Sequence, residues 1–234
     1  MSTRLKQIFD KWRADDSRQI RIMTFSASDS QFGNHTRARP NWFHWLEKTL
    51  RSDKPHFIML NASIGGNCVR DLCGRFERDA APLKPDLVFI DMGGNDANVP
   101  VMPDEFREKL TYLCKRVQEW GGIPVLQTLY TPVLTTFSAQ YQELFPQLMQ
   151  LNRDVAAELG IPCIDIERYF HPYYDAAPEE YTREIMVDTI HVNEVGNAVW
   201  GCIVADELGL PRPDLADMHD EVMRQLEKIQ GYMK

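Results

Sequence analysis

Residues 86–96 read DLVFIDMGGND. A short, mostly apolar run that ends in paired glycines predicts a buried strand followed by a sharp turn. Two earlier apolar runs, at 20–25 and 56–60, also end in small polar residues, at 26–30 and 61–67. If the three strands are parallel, their ends meet at one edge of the sheet. That edge is where open α/β sheets bind ligands.

Strand and helix patterns alternate along the chain, which predicts an α/β fold with a parallel sheet covered by helices on both faces. An aromatic segment at 169–181 fits neither pattern and is expected to be irregular, and Pro146 should kink or split its helix. Strands are predicted at 20–25, 56–60, 86–91, 123–129 and 161–166, and helices at 3–14, 41–51, 69–78, 104–120, 138–159, 194–207 and 214–233.

No linker or repeat marks a boundary, so we expect one domain over residues 1–234. It carries an N-terminal helix at about 3–14 and an appended amphipathic helix at about 214–233. The second helix either docks on its own domain or pairs with a second subunit as a homo-oligomer. The sequence leaves both options open.

Composition excludes several classes of function. The chain has 234 residues, is 44% hydrophobic and carries a net charge of -8, which disfavours nucleic acid and anionic membranes as partners. There is no signal-peptide pattern and no apolar run of the ~20 residues that a membrane span needs, so a cytoplasmic location is expected. The five cysteines form no Cys-x-x-Cys pair. We expect no cofactor and no metal.

Asp188 stands three residues before His191, ahead of the last core helix. At this spacing the carboxylate can turn back to accept the imidazole Nδ1–H, which leaves Nε2 free to take a proton. That is the acid–base half of a nucleophilic triad. The alternatives are a helix-capping acid and a surface histidine, and no other histidine stands at metal-ligand spacing. Whether one carboxylate oxygen or both would meet the ring is open.

A triad also needs a nucleophile and donors for the oxyanion. Ser30 follows the first strand, but Ser26 and Ser28 are rivals on composition, and all three fit an ordinary turn. Gly66 can present its N–H without a side chain in the way, and Gly65 serves equally on local grounds. The Asn95 amide is a further donor, or part of a plain turn. Together these groups complete an acyl-transfer site.

The same segments resemble the four blocks of the SGNH hydrolase superfamily, the GDSL-type esterases and lipases. Residues 28–30 resemble its Gly-Asp-Ser block, 61–67 the second, 85–96 the Gly-x-Asn-Asp ending and 188–191 the Asp-x-x-His block. The likeness spans about 20–205. It implies a flavodoxin-like, three-layer α/β/α sandwich with five parallel strands. Ser28 stands where glycine is usual.

The resemblance assigns the nucleophile to Ser30, with Asp188, His191, Gly66 and Asn95 as its partners. It implies a serine esterase for short-chain O-acyl esters, most of all O-acetyl esters of carbohydrates or other small molecules. His191 Nε2 should then lie within hydrogen-bond reach of Ser30 Oγ. A thioesterase or lysophospholipase, an acyltransferase and a non-catalytic binding domain are the alternatives. The Gly-x-Ser-x-Gly elbow of the larger α/β-hydrolases is absent.

Overall fold

The computed structural model describes residues 2–32, 38–52 and 54–234, with side chains from residue 4 onward. Its centre is a sheet of five parallel strands in the order β2-β1-β3-β4-β5. This is the flavodoxin-like order, with its switch point between β1 and β3. The predicted fold class is confirmed. The strands are β1 (Ile20–Thr24), β2 (Phe57–Asn61), β3 (Leu87–Asp91), β4 (Ile123–Gln127) and β5 (Cys163–Ile164).

Helices flank the sheet in two groups. The helices α1, α2 and α9 pack together, and α3, α5 and α6 form the other group, with α4 against α6. Right-handed crossovers in this strand order place one group on each face. The helices are α1 (Ser2–Ala14), α2 (Trp42–Arg51), α3 (Val69–Asp79), α4 (Gly94–Asn98), α5 (Pro103–Glu119), α6 (Ala139–Leu159), α7 (Glu167–Ala176), α8 (Pro178–Ile185), α9 (Glu194–Leu208) and α10 (His219–Tyr232).

The strand register aligns the three ends that the sequence singles out. Thr24, the last residue of β1, pairs with Asn61 at the end of β2 and with Phe89 in β3. The segments after these strands therefore leave the sheet side by side. This alignment brings the polar clusters together, as the parallel-sheet prediction requires.

The chain departs from the predicted elements in four places. The segment 169–181 is helical, not irregular, because α7 and α8 run through it. Helix α6 continues through Pro146 without a split. The fifth strand is reduced to two residues, and α4 follows β3 where only a turn was predicted.

None of the described helices is long and apolar enough to cross a membrane. All five cysteines are unpaired thiols, with Cys68, Cys114 and Cys202 buried. Helix α10 packs on α7 and α9 of its own chain.

Candidate active site

The Asp188–His191 segment is a closed loop that holds its own side chains in place. The Val187 N–H donates to the His191 carbonyl at 2.9 Å. Asp188 Oδ1 accepts the backbone N–H groups of Ile190 at 2.8 Å and His191 at 2.7 Å. The other carboxylate oxygen, Oδ2, lies 2.8 Å from His191 Nδ1. One oxygen therefore meets the ring, and the second orders the turn.

The environment keeps Asp188 ionised. Partial burial alone raises the pKa of this carboxyl. The hydrogen bonds from the His191 ring and from two backbone N–H groups outweigh burial and lower the pKa below its ordinary value. A carboxylate on Nδ1 fixes the tautomer with the proton on Nδ1. Nε2 is then the nitrogen that can accept a proton.

The serine that meets this nitrogen is Ser28. His191 Nε2 lies 3.0 Å from Ser28 Oγ. The expected contact between His191 and Ser30 is therefore wrong by two residues. Ser28 is partly exposed at the start of the turn that follows β1, where a substrate can reach its hydroxyl.

Ser30 is instead fully buried, with 0% of its surface exposed. Its hydroxyl donates to Asp91 Oδ2 at 2.8 Å and accepts the indole N–H of Trp42 at 2.8 Å. Its carbonyl accepts the side-chain amides of Asn41 at 2.6 Å and Asn61 at 2.7 Å. The hydroxyl and the carbonyl of Ser30 are both hydrogen-bonded in the core, so Ser30 anchors the loop that presents Ser28.

The first block of the family likeness therefore lies two residues earlier in the chain. The Gly-Asp-Ser block corresponds to residues 26–28, so Ser26 and Ala27 stand where glycine and aspartate are usual. Ser26 donates its hydroxyl to the Asp91 carbonyl at 2.5 Å. The local sequence held no signal for this, because the three serines differ only in the partners that distant elements bring to them.

Asp91, at the end of β3, is a buried acid below the site. Burial, with a smaller contribution from the nearby Asp29, raises the pKa of Asp91 to about 8. Within the described part of the chain, its Oδ1 has no hydrogen-bond partner. Burial and the absence of a donor to Oδ1 both favour the protonated form of Asp91 over the ionised one.

Two backbone N–H groups and one side-chain amide, on the segments after β1, β2 and β3, are the candidate oxyanion donors. Gly65 donates its N–H to Gln31 Oε1 at 2.6 Å, whereas no described residue accepts the N–H of Gly66 or of Ser28. Gly66 adopts φ +80°, a left-handed conformation that favours glycine. Asn95 Nδ2 donates one hydrogen to the Asn67 carbonyl at 3.0 Å and keeps a second.

Asp96, next to Asn95, fixes the segment that carries it. Its Oδ1 accepts the Val69 N–H at 2.8 Å and so caps α3. Burial raises the pKa of Asp96 to about 6. The acid therefore ties the end of β3 to the helix that follows β2.

Arg75 is a buried residue that sequence reasoning missed. Its guanidinium, on α3, donates to the carbonyls of Ser26 at 3.0 Å and Ala62 at 2.7 Å, and to Asn67 Oδ1 at 2.7 Å. It also lies 4.2 Å from the centre of the Phe25 ring. Arg75 therefore joins the segments after β1 and β2. Its position three residues after the buried Leu72, on the apolar stripe of α3, is the signal that could have revealed it.

Tyr130 was also missed as a site residue. Its buried hydroxyl contacts Asp29 Oδ1 and lies 2.7 Å from the Ile190 carbonyl. Asp29 follows Ser28 and Ile190 precedes His191. One phenol therefore bridges the loop of the candidate nucleophile and the loop of the candidate base.

The site has the groups that acyl transfer requires. A serine hydroxyl contacts the imidazole, a carboxylate contacts the other ring nitrogen, and several N–H groups are available as donors. Among the described residues, no group of three or more His, Cys, Asp or Glu side chains is placed to hold a metal. The site offers nucleophile and general-base chemistry from side chains and backbone.

Comparison with known proteins identifies the family. Residues 25–199 match the model of the GDSL-like lipase/acylhydrolase family, and the chain belongs to that family. It is a hydrolase acting on carboxylic ester bonds.

Two relatives match the chain at low identity. The uncharacterized lipoprotein YqeF of Bacillus subtilis is 24% identical over 201 residues, which cover 75% of this chain and 81% of that protein. Esterase TesA of Pseudomonas aeruginosa is 26% identical over 107 residues, covering 46% of this chain and 52% of that protein.

Solved structures share the fold. A catalytic mutant of an acetylxylan esterase from Geobacillus stearothermophilus superposes with a TM-score of 0.69 at 18% identity, over 85% of this chain and 98% of that chain. A lipase/acylhydrolase from Enterococcus faecalis gives 0.69 at 20% identity, over 85% and 100% of the two chains.

Proposed function

We propose that the protein is a serine esterase that hydrolyses short-chain O-acyl esters through an acyl-enzyme on Ser28. The observation that carries the proposal is the 3.0 Å contact between His191 Nε2 and Ser28 Oγ, with Asp188 on the other ring nitrogen. Ser30, which the family likeness first indicated, lacks both a base and access to solvent. O-acetyl esters of carbohydrates are the substrates we favour, and the acetylxylan esterase among the structural neighbours supports testing them first.

The chemistry follows from these positions. Ser28 Oγ forms a bond to the ester carbonyl carbon while its proton passes to His191 Nε2. The developing oxyanion is received by the N–H groups of Ser28 and Gly66 and by the Asn95 amide. His191 returns the proton to the leaving alcohol as the C–O bond breaks, and Asp188 stabilises the imidazolium meanwhile. Water, deprotonated by His191, then releases the acid and restores Ser28.

Paired serine variants test the nucleophile. We expect Ser28→Ala to lose about 10⁴- to 10⁶-fold of the kcat on p-nitrophenyl acetate, the scale seen when a triad serine is removed. Ser30→Ala is the matched control: it retains turnover but unfolds at a lower urea concentration, because Asp91 and Trp42 lose a partner. Labelling with a p-nitrophenyl phosphonate followed by peptide mass analysis should place the adduct on Ser28. Full activity of Ser28→Ala, or an adduct on Ser30, would overturn the assignment.

The panel of substrates separates the alternatives. Acetylated xylo-oligosaccharides, acyl-CoA thioesters and lysophospholipids are compared at equal concentration. A sugar acceptor is added in a second series, because transfer to a hydroxyl marks an acyltransferase. We expect the acetylated sugars to have the highest kcat/KM. A preference for thioesters or lysophospholipids, or dominant transfer, would replace the proposed activity with that alternative on the same site.

The oxyanion donor gives an independent prediction. Asn95→Ala should lower kcat by about 10²- to 10³-fold, the usual cost of one lost oxyanion donor. Its urea midpoint should change little, because the side chain makes one hydrogen bond to the described residues, to the Asn67 carbonyl. A loss below about tenfold would remove Asn95 from the proposed oxyanion hole.

A further inference from the structure

The side chain of Gln31 links the segment after β1 to the segment after β2. Gln31 Oε1 accepts the N–H of Gly65 at 2.6 Å. The backbone N–H of Gln31 donates to the carbonyls of Ala27 at 3.0 Å and Ser28 at 3.2 Å. One residue therefore binds the turn of the candidate nucleophile through its backbone and the neighbouring glycine turn through its side chain.

The glycine turn lies directly against Ser28. A Cβ placed on Gly65 would come within 3.6 Å of Ser28 Cβ. This distance is an ordinary van der Waals contact, so the two segments touch at the candidate nucleophile. Gly66 is the next residue, and its N–H belongs to the peptide unit that begins at this contact.

The direction of the Gly66 N–H depends on the type of this turn. The Asn67 N–H donates to the Ile64 carbonyl at 3.3 Å, which makes residues 64–67 a β-turn. Gly66 has φ +80°, whereas Gly65 is outside the left-handed region, so the turn is type II. A change to type I turns over the central peptide and reverses its N–H. Two glycines at the centre impose little steric barrier to that change.

The ends of the turn have partners of their own. The Ile64 N–H donates to the Ser26 carbonyl at 3.1 Å, and Asn67 Oδ1 accepts from the Arg75 guanidinium at 2.7 Å. Between these ends, the Gln31 side chain binds the first residue of the central pair. Gln31 therefore fixes where the central peptide lies relative to the turn of the candidate nucleophile.

We propose that Gln31 is a positioning residue for the oxyanion hole, because it holds the glycine turn against Ser28 with the Gly66 N–H directed at the developing oxyanion. The inference rests on the proposed esterase function. Gln31 Oε1 is an acceptor, and an oxyanion needs donors, so this oxygen acts through the turn and not on the substrate. Loss of the side chain should therefore weaken transition-state stabilisation more than substrate binding.

Gln31→Met tests this role, since methionine matches the length of glutamine but lacks its amide oxygen. We expect kcat on p-nitrophenyl acetate to fall by about 10- to 100-fold, the cost of a displaced group, with an unchanged urea midpoint. KM should stay within about threefold of the wild type. The inhibition constant of phenylboronic acid, whose adduct on Ser28 is tetrahedral, should rise by the same factor as kcat falls. Gln31→Glu keeps an acceptor oxygen and should retain more of the kcat than Gln31→Met.

Gly65→Ala disturbs the same contact from the other side. Its Cβ would come within 2.6 Å of Gln31 Oε1, the end of a flexible side chain, and so displaces the glutamine. Changes that act through one bond are not additive, so the double variant with Gln31→Met should have a kcat within about threefold of the slower single variant. Gln147→Met, at an exposed glutamine on α6, is the control and should match the wild type in kcat and urea midpoint.

The outcomes separate this inference from the function on which it rests. If acetate hydrolysis is equal in the wild type and in Ser28→Ala, the esterase proposal fails and the positioning role falls with it. If hydrolysis depends on Ser28 but the kcat and inhibition constant of Gln31→Met stay within about threefold of the wild type, the positioning role alone fails. It also fails if the urea midpoint drops and KM rises along with the loss of kcat, because those changes indicate a general defect in folding.

Discussion

Ser28 and Ser30 show how surroundings divide two identical side chains. A serine becomes a nucleophile only where a base can take its proton and a substrate can reach its oxygen. Ser28 has both, because His191 lies against it and its side chain is partly exposed. Ser30 has neither, and its proton is directed to Asp91. The single residue between them, Asp29, is bound to Tyr130, which fixes the turn that sends one hydroxyl outward and the other inward.

Asp91 gives a prediction at the residue scale. Its pKa is about 8 in the fold and 3.8 as a reference. Between these values the folded protein holds a proton that the unfolded chain has released, so the free energy of unfolding falls as pH rises. The slope from this group approaches about 1.4 kcal/mol per pH unit. Asp91→Asn keeps an acceptor for Ser30 and should remove that slope, leaving the variant relatively more stable at high pH.

Urea denaturation at several values between about pH 5 and about pH 9 measures this effect. The difference between the wild-type and Asp91→Asn curves isolates the contribution of this group. Asp10→Asn, on the exposed side of α1, is the control and should run parallel to the wild type. Parallel curves for Asp91→Asn as well would show that Asp91 is already ionised in the fold.

The residues whose environment is set locally were the predictable ones. Asp188 and His191 are three positions apart, and hydrogen bonds within the same short loop hold them together. Their spacing in the sequence was therefore enough to predict their contact. Which glycine offers a free N–H depends on Gln31. Its side chain accepts the N–H of Gly65 and leaves the N–H of Gly66 available. Which serine can act as the nucleophile depends on Trp42 and Asp91, because both bind the Ser30 hydroxyl in the core. Contacts between distant segments carry no signature in a single sequence.

At the scale of elements, α3 holds together the three segments that carry the candidate catalytic groups. Its N-terminus is capped by Asp96 from the segment after β3, and its Arg75 binds the segments after β1 and β2. The candidate oxyanion donors Gly66 and Asn95 and the candidate nucleophile Ser28 all lie on these three segments. One helix therefore sets the distances between them.

Arg75 supplies the prediction at this scale. Arg75→Met leaves two carbonyls without their guanidinium donor, and each such loss typically costs about 1–3 kcal/mol. We expect the free energy of unfolding to fall by about 2–4 kcal/mol and kcat on acetate esters to fall as the loops separate. Arg75→Lys should have an unfolding free energy and a kcat between those of Arg75→Met and the wild type, because an ammonium cannot span both carbonyls.

A matched control lies on the same helix. Arg78 is exposed, and Asp79 is its one hydrogen-bond partner among the described residues, so Arg78→Met should cost less than about 0.5 kcal/mol. Equal urea midpoints for Arg75→Met and Arg78→Met would contradict a structural role for the buried arginine.

The helices that prediction missed share a cause. Residues 167–185 contain many aromatic residues and two prolines, which disfavour a helix locally. Pro178 occupies the first turn of α8, where its missing N–H is harmless. The rings of Phe170, Tyr173 and Tyr181 are fully buried, so tertiary packing overrides the weak propensity.

Helix α6 continues through Pro146 because that residue and Gln142, whose carbonyl loses a donor, both face solvent.

On the scale of the whole molecule, α10 closes the helical layer around α9. Its buried residues are Val222, Gln225, Leu226 and Ile229. Lys228 forms ion pairs of 2.7 Å with both Glu180 and Glu184 of α8. The hydrogen bonds and charge of this cluster outweigh partial burial and lower the pKa of Glu184 to about 2. The apolar stripe that could have formed a subunit interface is occupied within the chain.

This packing makes the role of α10 testable. Leu226→Ala removes a side chain that is 3% exposed, and large-to-small changes in a core cost about 2–5 kcal/mol. Because the contacts lie within one chain, we expect the same loss of unfolding free energy at roughly 1 µM and roughly 100 µM protein, with no change in molar mass by light scattering. Glu227→Ala, the exposed neighbour, should change neither quantity. A stability that rises with protein concentration in the wild type, and a smaller molar mass for Leu226→Ala, would instead place α10 in a subunit interface. The homo-oligomer, one of the two options that the amphipathic sequence leaves open, would then form through Leu226.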